Sequence, residues 1–276
     1  MEILKKNYLI AIDLDETLVT NFNNDDNKSL ELLKEIAKYN YVVIATGRPL
    51  RSSLYYYKLL GLNTPIINYN GALVHHPFDP NFPKSYISVK KEWVEKIIDD
   101  NSYIVNIFCE IEDEIFLYKK QDEINPYLHL DGGKLHIGPF KDTLYGDPNG
   151  AIIFSTLGSG EMLEQYINEE FKGKLKIRFW GCENYTLSEV YNPLTTKGNG
   201  IKRIIDYYNI DFSKTIAIAD GHNDIELFNE VNIKVAMGNS HPELLKMATF
   251  VTSDIHHHGV YEFLYEFFCK QKDWNY

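Results

Sequence analysis

Tyr8-Leu9-Ile10-Ala11-Ile12-Asp13-Leu14-Asp15-Glu16-Thr17-Leu18 falls into two halves of different chemistry. The first five residues are an apolar run rich in β-formers, which predicts a buried strand of a parallel sheet covered on both faces. Asp13 and Asp15 follow at once, two positions apart. At strand spacing their side chains point the same way, beyond the carboxyl end of the sheet. Open α/β sheets place ligands in that crevice. Two like charges there repel one another, and a divalent cation that prefers oxygen relieves the repulsion. The competing reading of so short a motif is a strand that ends in a solvated acidic turn.

Further along, the same grammar repeats. Asn21 to Asn27 is polar turn material, and Ser29 to Tyr39 carries Leu30, Leu33 and Ala37 at helical spacing. Tyr41 to Ala45 reads as a second buried strand, ending in Thr46-Gly47-Arg48. Pro49 suits the first position of a helix that Gly61 stops. Pro65 to Tyr69 reads as a third strand, ending in Asn70-Gly71-Ala72. The pattern resumes at Lys197 with a helix, then the strand Thr215 to Ala219, which runs into Asp220-Gly221-His222-Asn223-Asp224. Strand and helix alternating in this way predict a doubly wound parallel sheet.

Between the two halves the character changes. Helices over Lys91 to Asp99 and Glu161 to Phe171 are mixed with strands over Tyr103 to Cys109, Glu114 to Lys119, Ala151 to Thr156, Lys174 to Trp180 and Tyr185 to Val190. Short connections between adjacent strands predict antiparallel pairing with helices on one face, an α+β domain. The expected division is a core of residues 1–73 and 190–276 and an insertion of residues 74–189. An insertion of that length is too long for an ordinary loop.

Composition narrows the classes of partner. Lys plus Arg total 28 against 39 Asp plus Glu, a net charge of −11, with no basic stripe to reverse it locally. Nucleic acid and anionic membranes are therefore not expected partners. The three cysteines, Cys109, Cys182 and Cys269, are far apart and form no CxxC pair, so free thiols in a reducing cytoplasm are expected. No signal-peptide pattern and no apolar run of about 18 residues is present.

Parallel strands bring their ends together. Asp13, Asp15, Thr46, Asp220, Asn223 and Asp224 then meet near the start of the helix opened by Lys197. Carboxylates suit Mg²⁺, while hydroxyl, amide and ammonium are donors that suit a phosphoryl group. The inventory is that of a phosphate site with a metal and a carboxylate nucleophile, since aspartate can form an acyl-phosphate.

The segments DLDET (13–17), ATGR (45–48), the lysine of TTKGNG (195–200) and ADGHND (219–224) resemble, in order, the four motifs of the haloacid dehalogenase superfamily. With Asn70-Gly71-Ala72, Ala236-Met237-Gly238-Asn239 and His258-Gly259-Val260, they are similar to the Cof-type phosphatases, which carry a large α+β cap of the second type between the second and third motifs. The resemblance implies Asp13 as nucleophile and Asp15 as general acid and base. It implies Thr46 and Lys197 as groups holding the phosphoryl oxygens, with Gly47, Asn223 and Arg48 contacting substrate. The implied Mg²⁺ ligands are Asp13, the backbone carbonyl of Asp15, and Asp220, with Asp224 supporting lysine and metal from outside. Glu16 departs from the family pattern, which has Gly there, as does Ala219 before Asp220.

The expected activity is Mg²⁺-dependent hydrolysis of small phosphate esters such as sugar phosphates. A phosphomutase or phosphotransferase of the same superfamily fits the motifs too, and a catalytically idle regulatory protein fits them less well. His256-His257-His258 reads as a solvated loop, since consecutive histidines cannot all face one ion in a regular element. The acidic run Glu110 to Glu114 reads as a solvated turn.

Overall fold

In a computed structural model, which describes residues 2–20 and 24–270, Leu9–Ile12 is a strand with all four side chains buried. It pairs in parallel with Tyr41–Ile44 on one side and Thr215–Ala219 on the other. Ile233–Ala236 and Phe250–Val251 extend the sheet beyond Thr215–Ala219, again in parallel. Leu9, Ala11, Val43 and Ala217 face Ile201, Ile204, Leu227 and Phe228, all of them excluded from water. Short β-branched and Ala side chains let the helix Lys197–Tyr208 lie close on that face. The doubly wound parallel core is as the sequence predicts.

The third expected strand behaves differently. Ile66–Asn68 touches the parallel sheet at one bridge, Ala45 with Ile67, and pairs antiparallel with Leu73–His75. Within the expected turn at 21–27, residues 21–23 lie outside the described residues, and Asn24–Asp25 pairs with Val19–Thr20.

Two units divide the chain. The first holds the chain up to Gly47, Ser53–Ser85, and everything from Thr196 on; the second holds Arg48–Ser52 and Tyr86–Thr195. The sequence places these divisions at 73/74 and 189/190. Residues 74–85 group with the first unit because Leu73–His75 is hydrogen-bonded to Ile66–Asn68.

The second unit is a six-stranded sheet in the order 134–137, 114–117, 104–111, 150–155, 186–191, 176–180. The helices Lys91–Asp100 and Gly160–Glu170 bury Val94, Ile97, Leu163 and Ile167 against Ile107, Ile153 and Val190 on one face. Its edge strand Lys134–Ile137 lies in the stretch 122–149 that has no periodicity to read. Glu110 corrects the reading of the acidic run. Its side chain is buried, 2.6 Å from the Arg51 guanidinium, and only Glu112 and Asp113 make the turn, Glu112 with φ +53°. No helix among the described residues is long and apolar enough to cross a membrane.

Candidate active site

The carboxyl ends of three neighbouring strands supply the site. Leu9–Ile12 delivers Asp13, whose backbone N–H still donates to the Ile218 carbonyl, so its position is set by the sheet. Beyond it the chain folds back at once: the N–H groups of Leu18 and Val19 both donate to the Leu14 carbonyl. In that tight turn Glu16 is left-handed, with φ +56°, and its side chain is exposed. The turn explains the Gly of the family pattern, because glycine adopts positive φ without steric cost. Asn239 donates to the Glu16 carbonyl at 3.0 Å and ties the turn to the loop after Ile233–Ala236.

Lys197 opens the helix Lys197–Tyr208, behind a Thr196 cap whose hydroxyl accepts from the Asn199 N–H at 3.0 Å. The following Gly198 is required by proximity: a Cβ there would stand 2.3 Å from the Glu226 carbonyl oxygen. Lys197 is wholly buried, and its Nζ donates to Asp13 Oδ1 at 2.8 Å and to Asp224 Oδ1 at 2.7 Å. The other Asp224 oxygen accepts from the Gly221 N–H at 3.0 Å. Asp220 Oδ1 accepts from the buried Thr17 hydroxyl at 3.0 Å. Carboxylate oxygens of Asp13, Asp220 and Asp224 lie within 4.8 Å of one another, a spacing that one cation can bridge. Asp15 is half-buried and stands outside that trio.

The electrostatics follow from crowding three carboxylates around one ammonium. Burial pushes the Asp13 carboxyl well above its ordinary range; Lys197 pulls it back, and Asp224, Asp220 and Asp15 push it further up. Burial, then the Asp224 charge, push Asp220 up to about 7, with Thr17 and Lys197 opposing and Glu16 adding. Burial alone would lower Lys197, but Asp13 and Asp224 outweigh it, and its pKa is raised. The trio carries more negative charge than Lys197 neutralises. Hard oxygen donors in excess of the local cation are the setting that Mg²⁺ fits.

Of the residues singled out in the sequence, Asp13, Lys197, Asp220 and Asp224 are in direct contact or within bridging distance. Thr46 is buried, its N–H donating to Ile67 and its carbonyl accepting from the Asn70 N–H. Asn223 Nδ2 donates to Asn70 Oδ1 at 2.8 Å, and Gly47 lies against the same Asn70 amide. Arg48 is buried and groups with the second unit, while Thr46 and Gly47 group with the first. The three histidines of the run are exposed, as expected of a solvated loop, though the His258 ring sits 2.7 Å from the buried Asp26 carboxylate and His257 pairs with Asp254. Thr17, Asn70 and Asn239 take part without having been assigned a place from the sequence. Thr17 is within the DLDET segment, so its signal was present.

A family model for haloacid dehalogenase-like hydrolases matches residues 10–264. A 5-amino-6-(5-phospho-D-ribitylamino)uracil phosphatase of Bacillus subtilis is 29% identical over 266 residues, covering 95% of this chain and 98% of its own. A Metamycoplasma hominis relative is 31% identical over 271 residues, covering 92% and 94%. Among solved structures, a haloacid dehalogenase-like hydrolase from Bacteroides thetaiotaomicron superposes with a TM-score of 0.82 at 21% identity, covering 95% of this chain and all of that one. A sugar phosphatase of HAD subclass IIB gives 0.76 at 21% identity, covering 95% and 99%, and both likenesses bear on the fold alone. On the matched length and the two relatives, this chain belongs to the haloacid dehalogenase-like hydrolase family.

Proposed function

We propose that the chain is a Mg²⁺-dependent phosphatase of small phosphorylated metabolites that works through phosphorylated Asp13. The observation that carries this reading is Lys197 held between Asp13 and Asp224 while Asp13, Asp220 and Asp224 crowd one cation-sized space. Mg²⁺ would be held by Asp13 and Asp220, with the Asp15 carbonyl completing the protein ligands. Asp224 spends both oxygens on Lys197 and Gly221 and suits an outer role. When bound, the ion supplies positive charge against the phosphoryl oxygens and the crowded carboxylates.

Asp13 attacks phosphorus as a carboxylate, and the bond from phosphorus to the ester oxygen breaks. Lys197 has three N–H donors, two of them used by Asp13 and Asp224, so the third is available to a phosphoryl oxygen. The Thr46 hydroxyl and the Asn223 amide add donors where charge gathers. Asp15, half-buried and outside the carboxylate trio, gives its proton to the leaving oxygen and then takes one from the water that opens the acyl-phosphate. The Bacillus relative's name directs the substrate search toward phosphorylated polyols and sugars.

Phosphate release from a panel holding 5-amino-6-(5-phospho-D-ribitylamino)uracil, hexose phosphates and short polyol phosphates tests the proposal. Release with Mg²⁺ and its loss after EDTA dialysis are expected. No release from any ester, full turnover without divalent metal, or transfer to a sugar hydroxyl in place of water would overturn it.

A further inference from the structure

Tyr69, Asn70 and Gly71 have φ of +50°, +53° and +101°, three successive residues in a region that L-residues avoid. For a residue as bulky as Tyr this is a genuine outlier, and backbone strain of this kind persists only where its surroundings over-determine it. All three are buried. Asn70 and Gly71 also reach toward the phosphate-binding groups or their supports. The Asn70 N–H donates to the Thr46 carbonyl at 3.0 Å, and its amide packs 3.3 Å from where a Gly47 Cβ would stand. Asn70 Oδ1 accepts from Asn223 Nδ2 across 153 positions of sequence. A Cβ on Gly71 would stand 2.2 Å from the carbonyl oxygen of Thr196, the residue that caps the Lys197 helix.

The ordinary account of a buried Asn at positive φ is a turn residue bonded to its own loop. Here the side-chain bond goes elsewhere, to an amide that is only half-buried and that water could satisfy. What the bond fixes is the direction of Asn223. With Asn70 Oδ1 as the acceptor, an Asn223 oxygen on that side would face another acceptor, so the Asn223 nitrogen takes it, with its second hydrogen left over.

Resting on the phosphatase reading above, we propose that Asn70 is a positioning residue: it holds the Asn223 amide as a phosphoryl-oxygen donor, and the turn it occupies sets the start of the Lys197 helix. Asn70→Gly keeps the backbone conformation and removes the acceptor. It should raise both KM for an ester and the dissociation constant of inorganic phosphate about tenfold, the scale of an oriented hydrogen bond to a charged group. The kcat should fall less than KM rises. Asn223→Ala should show a similar change, and the double variant should be no worse than Asn223→Ala alone, because Asn70 acts through Asn223.

Inorganic phosphate affinity, read by calorimetry with Mg²⁺ present, judges the inference even if no ester in the panel is turned over, which would sink only the phosphatase reading. Should Asn70→Gly not fold, Asn70→Ser fills part of the space, lacks the reach to Asn223, and gives the same comparison. Unchanged phosphate affinity and KM in the folded variant, or effects of the two substitutions that multiply, would overturn the positioning role.

Discussion

Asp220→Asn should stabilise the metal-free protein while it ends activity. The Asp220 carboxyl is pushed up to about 7 by burial and by the Asp224 charge, against an ordinary 3.8. Because the folded value lies above the unfolded one, the stability this group contributes is present below pH 3.8 and is lost as pH rises through 7. At pH 8 the ionised folded state therefore carries a penalty of roughly 4 kcal/mol relative to the protonated one. Asparagine can still accept the Thr17 hydrogen bond through its amide oxygen and brings no charge. Since Asp13 and Asp224 share the same field and relax with it, the expected gain in EDTA at pH 8 is about 2–4 kcal/mol. For a chain of this length that is a rise in Tm of roughly 5–15 °C. The gain should shrink below about 1 kcal/mol at pH 4. Mg²⁺ at a hundred times its Kd would add about 2.7 kcal/mol to the wild type and nothing comparable to the variant, closing the gap. Thermal and urea melts from pH 4 to 8, with EDTA and with Mg²⁺, measure all of this. A variant less stable than wild type in EDTA at pH 8, or a difference that ignores pH, would refute the reasoning.

Lys197→Met should cost about 3–5 kcal/mol of stability, because it leaves Asp13 and Asp224 facing each other with no ammonium between them; a urea midpoint within error of wild type would contradict this. Glu16→Gly should stabilise by about 1 kcal/mol, since it relieves a left-handed residue whose side chain is exposed, and calorimetry would expose any loss. Asp13→Asn should abolish turnover of every ester. Asp15→Asn should lose about 10²- to 10⁴-fold on alkyl phosphates and less on nitrophenyl phosphate, with phosphorylated Asp13 trapped by acid quench; equal losses on both would remove Asp15 from its role.

The fold was legible where apolar strands run straight into polar ends. Leu9–Ile12 before Asp13 and Thr215–Ala219 before Asp220 each put chemistry and architecture in one contiguous segment. Ile66–Asn68 looked like another strand of the same sheet because composition records burial and not pairing partners; its antiparallel return through Leu73–His75 follows a left-handed turn that local propensity does not favour. Asn70 was visible as part of a turn and invisible as a partner of Asn223, since no local rule joins positions so far apart. Glu110 lies in a run of acids and reads as solvated, whereas the buried Arg51 side chain that pairs with it is 59 residues upstream. Glu16 departs from the family pattern in sequence, but only its φ shows that the family's Gly answers a backbone demand.

The strand Leu9–Ile12, paired on both sides, has a consequence for how the protein is made. Its partner Thr215–Ala219 pairs Leu9 with Thr215, so the sheet cannot close until most of the chain exists. At about 5–20 residues per second a ribosome needs roughly 10–40 s to supply that partner. Meanwhile the strands of the inserted unit, Ile104–Ile111 through Thr186–Tyr191, have all emerged and can pair among themselves. Asp13 is synthesised 184 residues before the Lys197 it meets, and a nascent chain stopped short of Lys197 leaves that carboxylate without its buried ammonium.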